Sequence, residues 1–368
     1  MIRTLAVEGY RSLRSLTLSL DRLTVVTGAN GSGKTSLYRA LRLLADVARD
    51  GAVSSLAREG GMRSAVHAGE RGPGPVAIRL GFATEDLSYA VDLGLPQLGP
   101  FTLDPEIKSE VVWAGEVLRP STILTERTGS RVRTRRDDGA WATIPLTLDD
   151  HESVMAHLAD PGATPDLFAL REQARRWRFY DHLRTDADAP ARRPGVPTFT
   201  PALAPDGDDL AAALLTIDRT GDAAGLAASV DVAFAGSRIR VTETEEGACL
   251  LAMTQPGLRR SLSAAELSDG TLTFLLLAAA AFATRPPDLL VLNEPESSLH
   301  PSLMPAVAAL VARAAERSQV LVVTHADELG RALRQADATA IELAKAGAVT
   351  SVAGAGLLDG PAWSWPKR

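Results

Sequence analysis

The order of apolar and polar positions divides the chain into strands, helices and one long polar break. Leu23-Thr24-Val25-Val26-Thr27 is a short β-branched run and reads as a buried strand. From Ser36 to Asp50, the apolar residues Leu37, Leu41, Leu44 and Val47 recur at helical spacing. Residues 76 to 144 read mostly as β, because Val76–Phe82, Tyr89–Leu93, Glu110–Ala114 and Thr122–Leu124 alternate or run apolar. Arg131 to Trp141, broken by Asp137-Asp138-Gly139, predicts a hairpin. Residues 151–183 read as helical, with breaks at Asp160-Pro161-Gly162 and Thr164-Pro165. Ala187–Asp209 is rich in Pro, Gly and Asp and reads as an exposed lid or a partly disordered segment. Leu210–Leu226 reads as helical again, and Ile239–Thr244 with Ala248–Thr254 as a strand pair. An apolar helix over Leu272–Ala283 and buried strands at Leu289–Leu292 and Val320–Val323 complete the pattern. No heptads run for three or four repeats, so long coiled-coil arms are not expected, and no internal repeat is found.

Between the first buried strand and the first helix lies Gly28-Ala29-Asn30-Gly31-Ser32-Gly33-Lys34-Thr35, which fits the spacing G-x-x-x-x-G-K-[ST]. Glycines let the backbone curl so that several N–H groups point at one phosphate. The helix that follows, opening at Ser36, adds unpaired N-terminal donors and the positive end of its dipole. Lys34 can reach the β- and γ-phosphate oxygens, and the Thr35 hydroxyl can ligate Mg²⁺. The ordinary reading, a chance glycine-rich turn, does not require the flanking strand and helix.

Three later segments narrow the chemistry. Asp288-Leu289-Leu290-Val291-Leu292-Asn293-Glu294-Pro295 is an apolar strand that ends in polar residues, where open parallel sheets place ligands. Glu294 is placed to orient or deprotonate an attacking water, and otherwise reads as an acidic helix cap. Leu267-Ser268-Asp269-Gly270-Thr271 stands before the apolar helix, as an anion site or simply as a turn with an N-cap. Val320–Thr324 is a buried strand that ends at His325, a residue positioned to sense a γ-phosphate; a lone histidine is more often structural.

The order of these motifs resembles the ATP-binding cassette ATPases, and more narrowly the RecF/SMC/OLD-related branch of bacterial AAA-domain ATPases. Val7-Glu8-Gly9-Tyr10-Arg11-Ser12-Leu13 resembles that branch's opening strand and turn, and Asn293–Pro301 its EPExxLHP continuation. Softer similarity extends through Asp104–Ile107 and Trp177–Asp181. The resemblance implies an α/β P-loop fold: an ABC-type head with a mixed or parallel sheet, an antiparallel β lobe and a helical insert. It implies a nucleotide site at Gly28, Ala29, Asn30, Gly31, Ser32, Gly33, Lys34, Thr35 and Ser36, with Arg11 near the phosphates or base. It implies Glu294, His325 and Lys34 as catalytic residues, and Thr35 and Asn293 as ligands of Mg²⁺, directly or through water. Ser268, Asp269 and Gly270 would form the signature that caps ATP held by a second subunit, and Ser297–Leu299 the D-loop. ATP and Mg²⁺ are the implied cofactors.

Two departures stand out. Walker B usually ends Asp-Glu, and here Asn293 replaces the acid; its amide oxygen can accept from a Mg²⁺-bound water but brings no charge. Slow turnover is expected. The glutamine loop stays unassigned, because candidates such as Gln97 lack the context.

Composition bounds the rest. The chain has 368 residues, 45% of them hydrophobic and 23% charged, enough for a large core and up to two domains. A net charge of −6 argues against a constitutively basic nucleic-acid binder, though a local patch stays open. Two arginine clusters could be such a patch: Arg131, Arg133, Arg135 and Arg136 in the hairpin, and Arg171, Arg175, Arg176 and Arg178 among the aromatics Trp177, Phe179 and Tyr180. The ordinary reading is a solvated face whose arginines pair with nearby acids. Cys249 is the single cysteine, so no intramolecular disulfide is expected. The six histidines, His67, His151, His157, His182, His300 and His325, show no zinc spacing. No G-x-S-x-G elbow and no Toprim-like nuclease block is found, the latter separating the chain from full OLD nucleases. No signal-like segment opens the chain, and its longest apolar run is shorter than the ~20 residues a bilayer requires, so a cytoplasmic protein without membrane insertion is expected.

The expected organisation is an ATPase core from 1–66 and 267–368, an antiparallel β lobe at 76–144, and a mainly helical insert at 151–266 carrying the loop 187–209. Three functions are consistent with it: an ATP-dependent dimerising switch with a DNA or protein effector in genome maintenance or anti-phage defence, a nucleotide-binding scaffold with negligible turnover, and the ATPase subunit of a transporter. The long insert and the RecF-like opening weigh against the transporter.

Overall fold

A computed structural model of the chain describes every residue except 50, 71–73, 97–100, 102, 137, 146, 182, 246, 357–359 and 368. Gln97, Asp137 and His182, named above, therefore lie outside the described residues. In chain order, β1 is Ile2–Tyr10, β2 Leu13–Ser19, β3 Leu23–Thr27, α1 Lys34–Arg49, α2 Ala52–Arg58 and α3 Met62–Ala65. Then come β4 Ala77–Thr84, β5 Leu87–Gly94, β6 Glu106–Ala114, β7 Ile123–Thr128, β8 Arg131–Arg135, β9 Trp141–Thr143, α4 Val154–His157, α5 Pro165–Arg175 and β10 Arg178–Asp181. The last part holds α6 Leu210–Thr220, α7 Ala223–Ala233, β11 Arg238–Glu243, β12 Cys249–Thr254, β13 Leu262–Ser263, α8 Asp269–Ala281, β14 Leu289–Asn293, α9 Met304–Ala315, β15 Gln319–Val323, α10 Asp327–Gln335, β16 Thr339–Ala346 and β17 Val349–Val352. These elements sort into two compact units, one of Met1–Asp21, Gly28–Trp177 and Ile341–Arg368, the other of Arg22–Thr27 and Arg178–Ala340.

The first unit is built on an eight-stranded sheet in the order β2-β1-β4-β5-β6-β7-β8-β9, with every neighbour antiparallel. The helical stripe of α1 is fully buried at Leu37, Leu41, Leu44 and Val47, as its spacing predicts. Arg49 at the end of α1 donates to the carbonyls of Ala174 (3.0 Å) and Trp177 (2.8 Å), and Trp177 packs edge-on against Phe82 at 5.2 Å. A buried ion pair fastens α4 to the sheet. Glu110 and Arg127 are both 0% exposed and lie 3.3 Å apart. Glu110 also accepts from the Tyr89 hydroxyl (2.6 Å), the Ser153 hydroxyl (2.6 Å) and the Val154 amide (2.9 Å), while Arg127 donates to the carbonyls of Asp149 and Glu152. Charges this deep are tolerated because both carboxylate oxygens accept and each nitrogen of the guanidinium donates, Arg127 Nε to the Gly129 carbonyl (2.7 Å). The β16–β17 hairpin closes this unit.

The second unit carries four parallel strands in the order β10-β14-β15-β3. β14 and β15 are buried at every position, which is what helices on both faces demand of a parallel sheet. Their registers align Asp181, Asn293, Val323 and Val26 at one carboxyl-terminal edge. α8 is apolar on all sides and correspondingly buried, with Leu272, Phe274, Leu275 and Leu276 fully inaccessible. Cys249 is buried in this core.

Two local expectations are corrected. Residues 178–181, read as helix, form β10, because pairing with Leu290–Asn293 and burial of Phe179 and Tyr180 outweigh a weak helical signal over four residues. The segment 187–209, read as an exposed lid or disordered, is packed. Leu203 is fully buried and its carbonyl accepts from the Tyr180 hydroxyl (2.7 Å), and Gly195 exchanges both backbone hydrogen bonds with Cys249 (3.0 and 2.8 Å). Leu210–Leu226 is helical as read, in two pieces, because Gly221 ends α6 and the Asp222 side chain caps α7 by accepting from the Gly225 amide.

Candidate functional site

In the first unit, the loop from Gly28 to Gly33 leads into α1 at Lys34. Gly33 has φ 107°, and a Cβ there would stand 2.2 Å from Thr350 Oγ1, so only glycine fits. Thr350 on β17 donates to the Ser32 carbonyl (2.8 Å) and lies 2.9 Å from Ser12 Oγ, which is 3.3 Å from Ser36 Oγ. The turn after β1 and the C-terminal hairpin thus fix the loop from both sides. Lys34 is 5% exposed, and its ammonium donates to the carbonyls of Gly28 (2.6 Å) and Ala29 (3.1 Å). Ala29, Asn30, Gly31 and Thr35 are exposed, leaving the loop tip and the first hydroxyl of the helix open to a ligand. A buried cation folded across a glycine-rich loop at a helix N-terminus suits a polyphosphate. Arg11 has φ 49°, and its guanidinium is bound to Glu59 at 2.8 Å, while its carbonyl lies 2.6 Å from His67 Nδ1.

In the second unit, Asn293 ends β14 and Glu294 follows it with φ 49°, its amide donating to the Val323 carbonyl (2.7 Å). A left-handed backbone at a non-glycine residue costs about 1–3 kcal/mol and persists where the surroundings enforce it, commonly at functional sites. The Glu294 carboxylate is 28% exposed and stands 3.8 Å from His325 Nδ1, too far for a hydrogen bond. Glu296 holds His325 instead. Its Oε1 lies 3.2 Å from His325 Nδ1 and accepts from the Thr324 hydroxyl (2.6 Å) and the His325 amide (3.1 Å). Asn293, 5% exposed, donates through Nδ2 to Asp181 Oδ1 (2.8 Å), and its own Oδ1 is buried without a partner. An unpaired buried acceptor at a strand end fits a magnesium-bound water.

The Leu267–Thr271 segment is braced rather than loose. Ser268 caps α8, accepting from the Thr271 amide (3.2 Å). Before it, Ser263 and Glu266 form a capping box, and Arg260 pairs with the Glu266 carboxylate, holding its pKa at about 2 against an ordinary 4.5. Arg192, 8% exposed, donates to the carbonyls of Leu267 (2.7 Å) and Thr185 (2.7 Å) and to Asp269 Oδ1 (2.7 Å). A Cβ on Gly270 would meet the Ser298 carbonyl at 2.9 Å, so the start of α8 lies against the segment that follows Glu296. Asp269, Asn293, Glu294, Ser298, Thr185 and Asp186 line a cavity of about 340 Å³.

Sequence reasoning singled out Asn293, Glu294 and His325, and the structure brings them to one sheet edge. It assigned no role to Glu296, Asp181, Arg192 or Thr350. Glu296 stood inside the EPExxLHP segment and was within reach of that reading; the other three depend on partners distant in sequence. Several arginines of the two clusters are engaged within the chain. Arg133 and Arg135 lie over the Trp141 ring at 4.5 and 4.9 Å, and Arg171 lies over Phe168 at 5.4 Å.

Among curated proteins, none matches the chain in sequence. It is similar in fold to the crystal structure of an Smc head bound to the C-terminal winged-helix domain of ScpA, at TM-score 0.54 and 15% identity, covering 97% of this chain and 98% of that one. A second Smc head, with an extended coiled coil and bound to the C-terminal domain of ScpA derived from Pyrococcus furiosus, matches at TM-score 0.52 and 13% identity, covering 95% of each chain. Among the described residues, no helix is long and apolar enough to cross a membrane. Residues 23–329 match the family model described as "AAA domain, putative AbiEii toxin, Type IV TA system". The chain belongs to that AAA-domain family.

Proposed function

We propose that the protein binds and slowly hydrolyses ATP and that the bound nucleotide switches a homodimer read by a DNA or protein effector. The observation that carries this reading is Glu294, a half-open carboxylate held in a left-handed backbone at the ligand-binding edge of a parallel sheet, beside His325. Gly28, Ala29, Asn30, Gly31, Ser32 and Gly33 cradle the phosphates with backbone amides, and Lys34 exchanges the carbonyls of Gly28 and Ala29 for phosphate oxygens. The Thr35 hydroxyl and Asn293 Oδ1 are the oxygens offered to Mg²⁺, which when bound neutralises charge on the phosphates. Glu294 orients a water and takes its proton as the new P–O bond forms and the bond to ADP breaks. His325 donates to the charge that develops on the γ-phosphate. Ser268, Asp269 and Gly270 of one copy, with the α8 N-terminus behind them, cap the nucleotide of the other. Ser36 supports the loop through Ser12. Arg11 would reach a nucleotide only by giving up Glu59.

The Smc heads of similar fold carry a bound protein domain, which supports a protein effector, and the family description, with its toxin and its TA system, supports a defence role. A cytoplasmic location, where ATP is at hand, is part of this proposal. Phosphate release from ATP tests the reading: slow release that is lost in Glu294→Gln is expected. Tight ATP binding without any release would instead favour the nucleotide-binding scaffold, the reading to which the uncharged Asn293 points.

A further inference from the structure

We infer that Asp181, on the neighbouring strand, supplies the negative charge that Asn293 lacks, and that the two side chains act together as the protein's share of the metal site. This rests on the nucleotide-binding reading above. Asp181 and Asn293 are register partners at the ends of β10 and β14. The hydrogen bond between them decides which way the amide points. A carboxylate only accepts, so the group that faces Asp181 must be the Asn293 NH₂, at 2.8 Å. The amide oxygen is then turned away from Asp181, and it is the atom found buried and without a partner. Asn293 is 5% exposed and is one of the residues that line the cavity beside Glu294, so the orphaned acceptor belongs to a side chain at that cavity. A buried acceptor left unpaired is destabilising, and that cost is relieved by a donor such as metal-bound water.

The pair does what a single Walker B acid does, with the parts divided: Asn293 presents the oxygen, and Asp181 provides the charge and fixes the amide. Among the described residues, no group of three or more His, Cys, Asp and Glu could hold a metal alone. That fits Mg²⁺, which keeps several waters and takes most of its other ligands from phosphate. It does not fit a metal caged by protein. The division also makes a prediction peculiar to this arrangement: exchanging the two residues, Asp181→Asn with Asn293→Asp, preserves both the hydrogen bond and the single charge.

The test uses the full chain with ADP and Mn²⁺ as the metal probe, following free Mn²⁺ by electron paramagnetic resonance and ADP binding by calorimetry in EDTA. The wild type is expected to take up Mn²⁺ with ADP. Asp181→Asn is expected to bind ADP in EDTA unchanged but to need at least ~10-fold more Mn²⁺, the usual cost of losing a partner that orients a metal ligand. The exchanged double variant is expected to return to within about 3-fold of wild type, well inside that 10-fold loss. Wild-type Mn²⁺ affinity in an ADP-binding Asp181→Asn overturns the inference while leaving the nucleotide reading intact. A double variant that binds ADP, melts like wild type and still fails to recover Mn²⁺ also overturns it. A wild-type chain that binds no ADP in either condition overturns the nucleotide reading and this inference together.

Discussion

Glu296 Oε1 lies 3.2 Å from the His325 ring nitrogen Nδ1 and 3.1 Å from that residue's own amide. One buried oxygen therefore fixes both the backbone at the end of β15 and the ring that projects from it, and Glu294, nearer in sequence to β14, is left without that duty. On the proposed function, Glu296 is a positioning residue, and Glu294 keeps its carboxylate for water.

Replacing Glu296 separates the two roles. Glu296→Gln retains one acceptor oxygen and is expected to fold, with kcat for ATP falling about 10-fold or more and KM little changed, since losing one donor aimed at transition-state charge costs roughly 10²–10³-fold. Glu296→Ala strands the Thr324 and His325 donors and should also lose about 1–3 kcal/mol of stability. Steady-state kinetics with thermal melts distinguish the effects; an unchanged kcat in a folded Glu296→Gln contradicts the assignment.

Arg192 should matter to assembly more than to nucleotide binding. Lysine cannot reproduce the planar fork that reaches Thr185, Leu267 and Asp269 together. Arg192→Lys is expected to bind ADP normally and to lose ATP-dependent dimerisation. Sedimentation with calorimetry checks both halves, and an Arg192→Lys chain that dimerises as wild type does contradicts the bracing role.

The Glu110–Arg127 pair predicts strong coupling. Arg127→Gln alone leaves a buried carboxylate uncompensated and should cost about 3–5 kcal/mol. Adding Glu110→Gln should recover part of that loss, so the double variant unfolds at higher urea than Arg127→Gln. Simple additivity of the two single losses would contradict the coupling.

Acid weakens the capping box before the signature. The Arg260 contact and the Ser263 bonds hold Glu266 at about 2, below its ordinary 4.5. A folded-state pKa that is depressed gives stability present above the ordinary value and lost as pH falls toward the lowered one. The difference in melting temperature between wild type and Glu266→Gln should therefore be constant above pH 4.5 and shrink on descent to pH 2. A difference independent of pH contradicts this.

How much of this was legible in the sequence follows from the range of the interactions. The phosphate loop is local: a β-branched strand, three glycines and a helical stripe lie within a few turns of chain, so Gly33 and Lys34 could be read directly. The ends of β14 and β15 were legible because buried parallel strands are apolar runs that stop abruptly at polar residues. β10 was not, since four residues carry little periodicity, and it is pairing with β14, more than a hundred residues away, that makes Asp181 a partner of Asn293. Arg192 sits in a segment whose composition suggests mobility, yet its role comes from carbonyls at 264–267 and from Asp269. Composition reports average solvation, and one buried guanidinium fork overrides it.

The claim that nucleotide switches a dimer is tested most directly by the solution mass of Glu294→Gln, measured by light scattering with and without Mg-ATP. The variant should bind ATP and not turn it over. The account predicts a monomer without nucleotide and a dimer with it, and the shift should vanish when Lys34→Ala is added. A mass that stays monomeric at saturating Mg-ATP contradicts the composite site and leaves Ser268 as a helix cap alone.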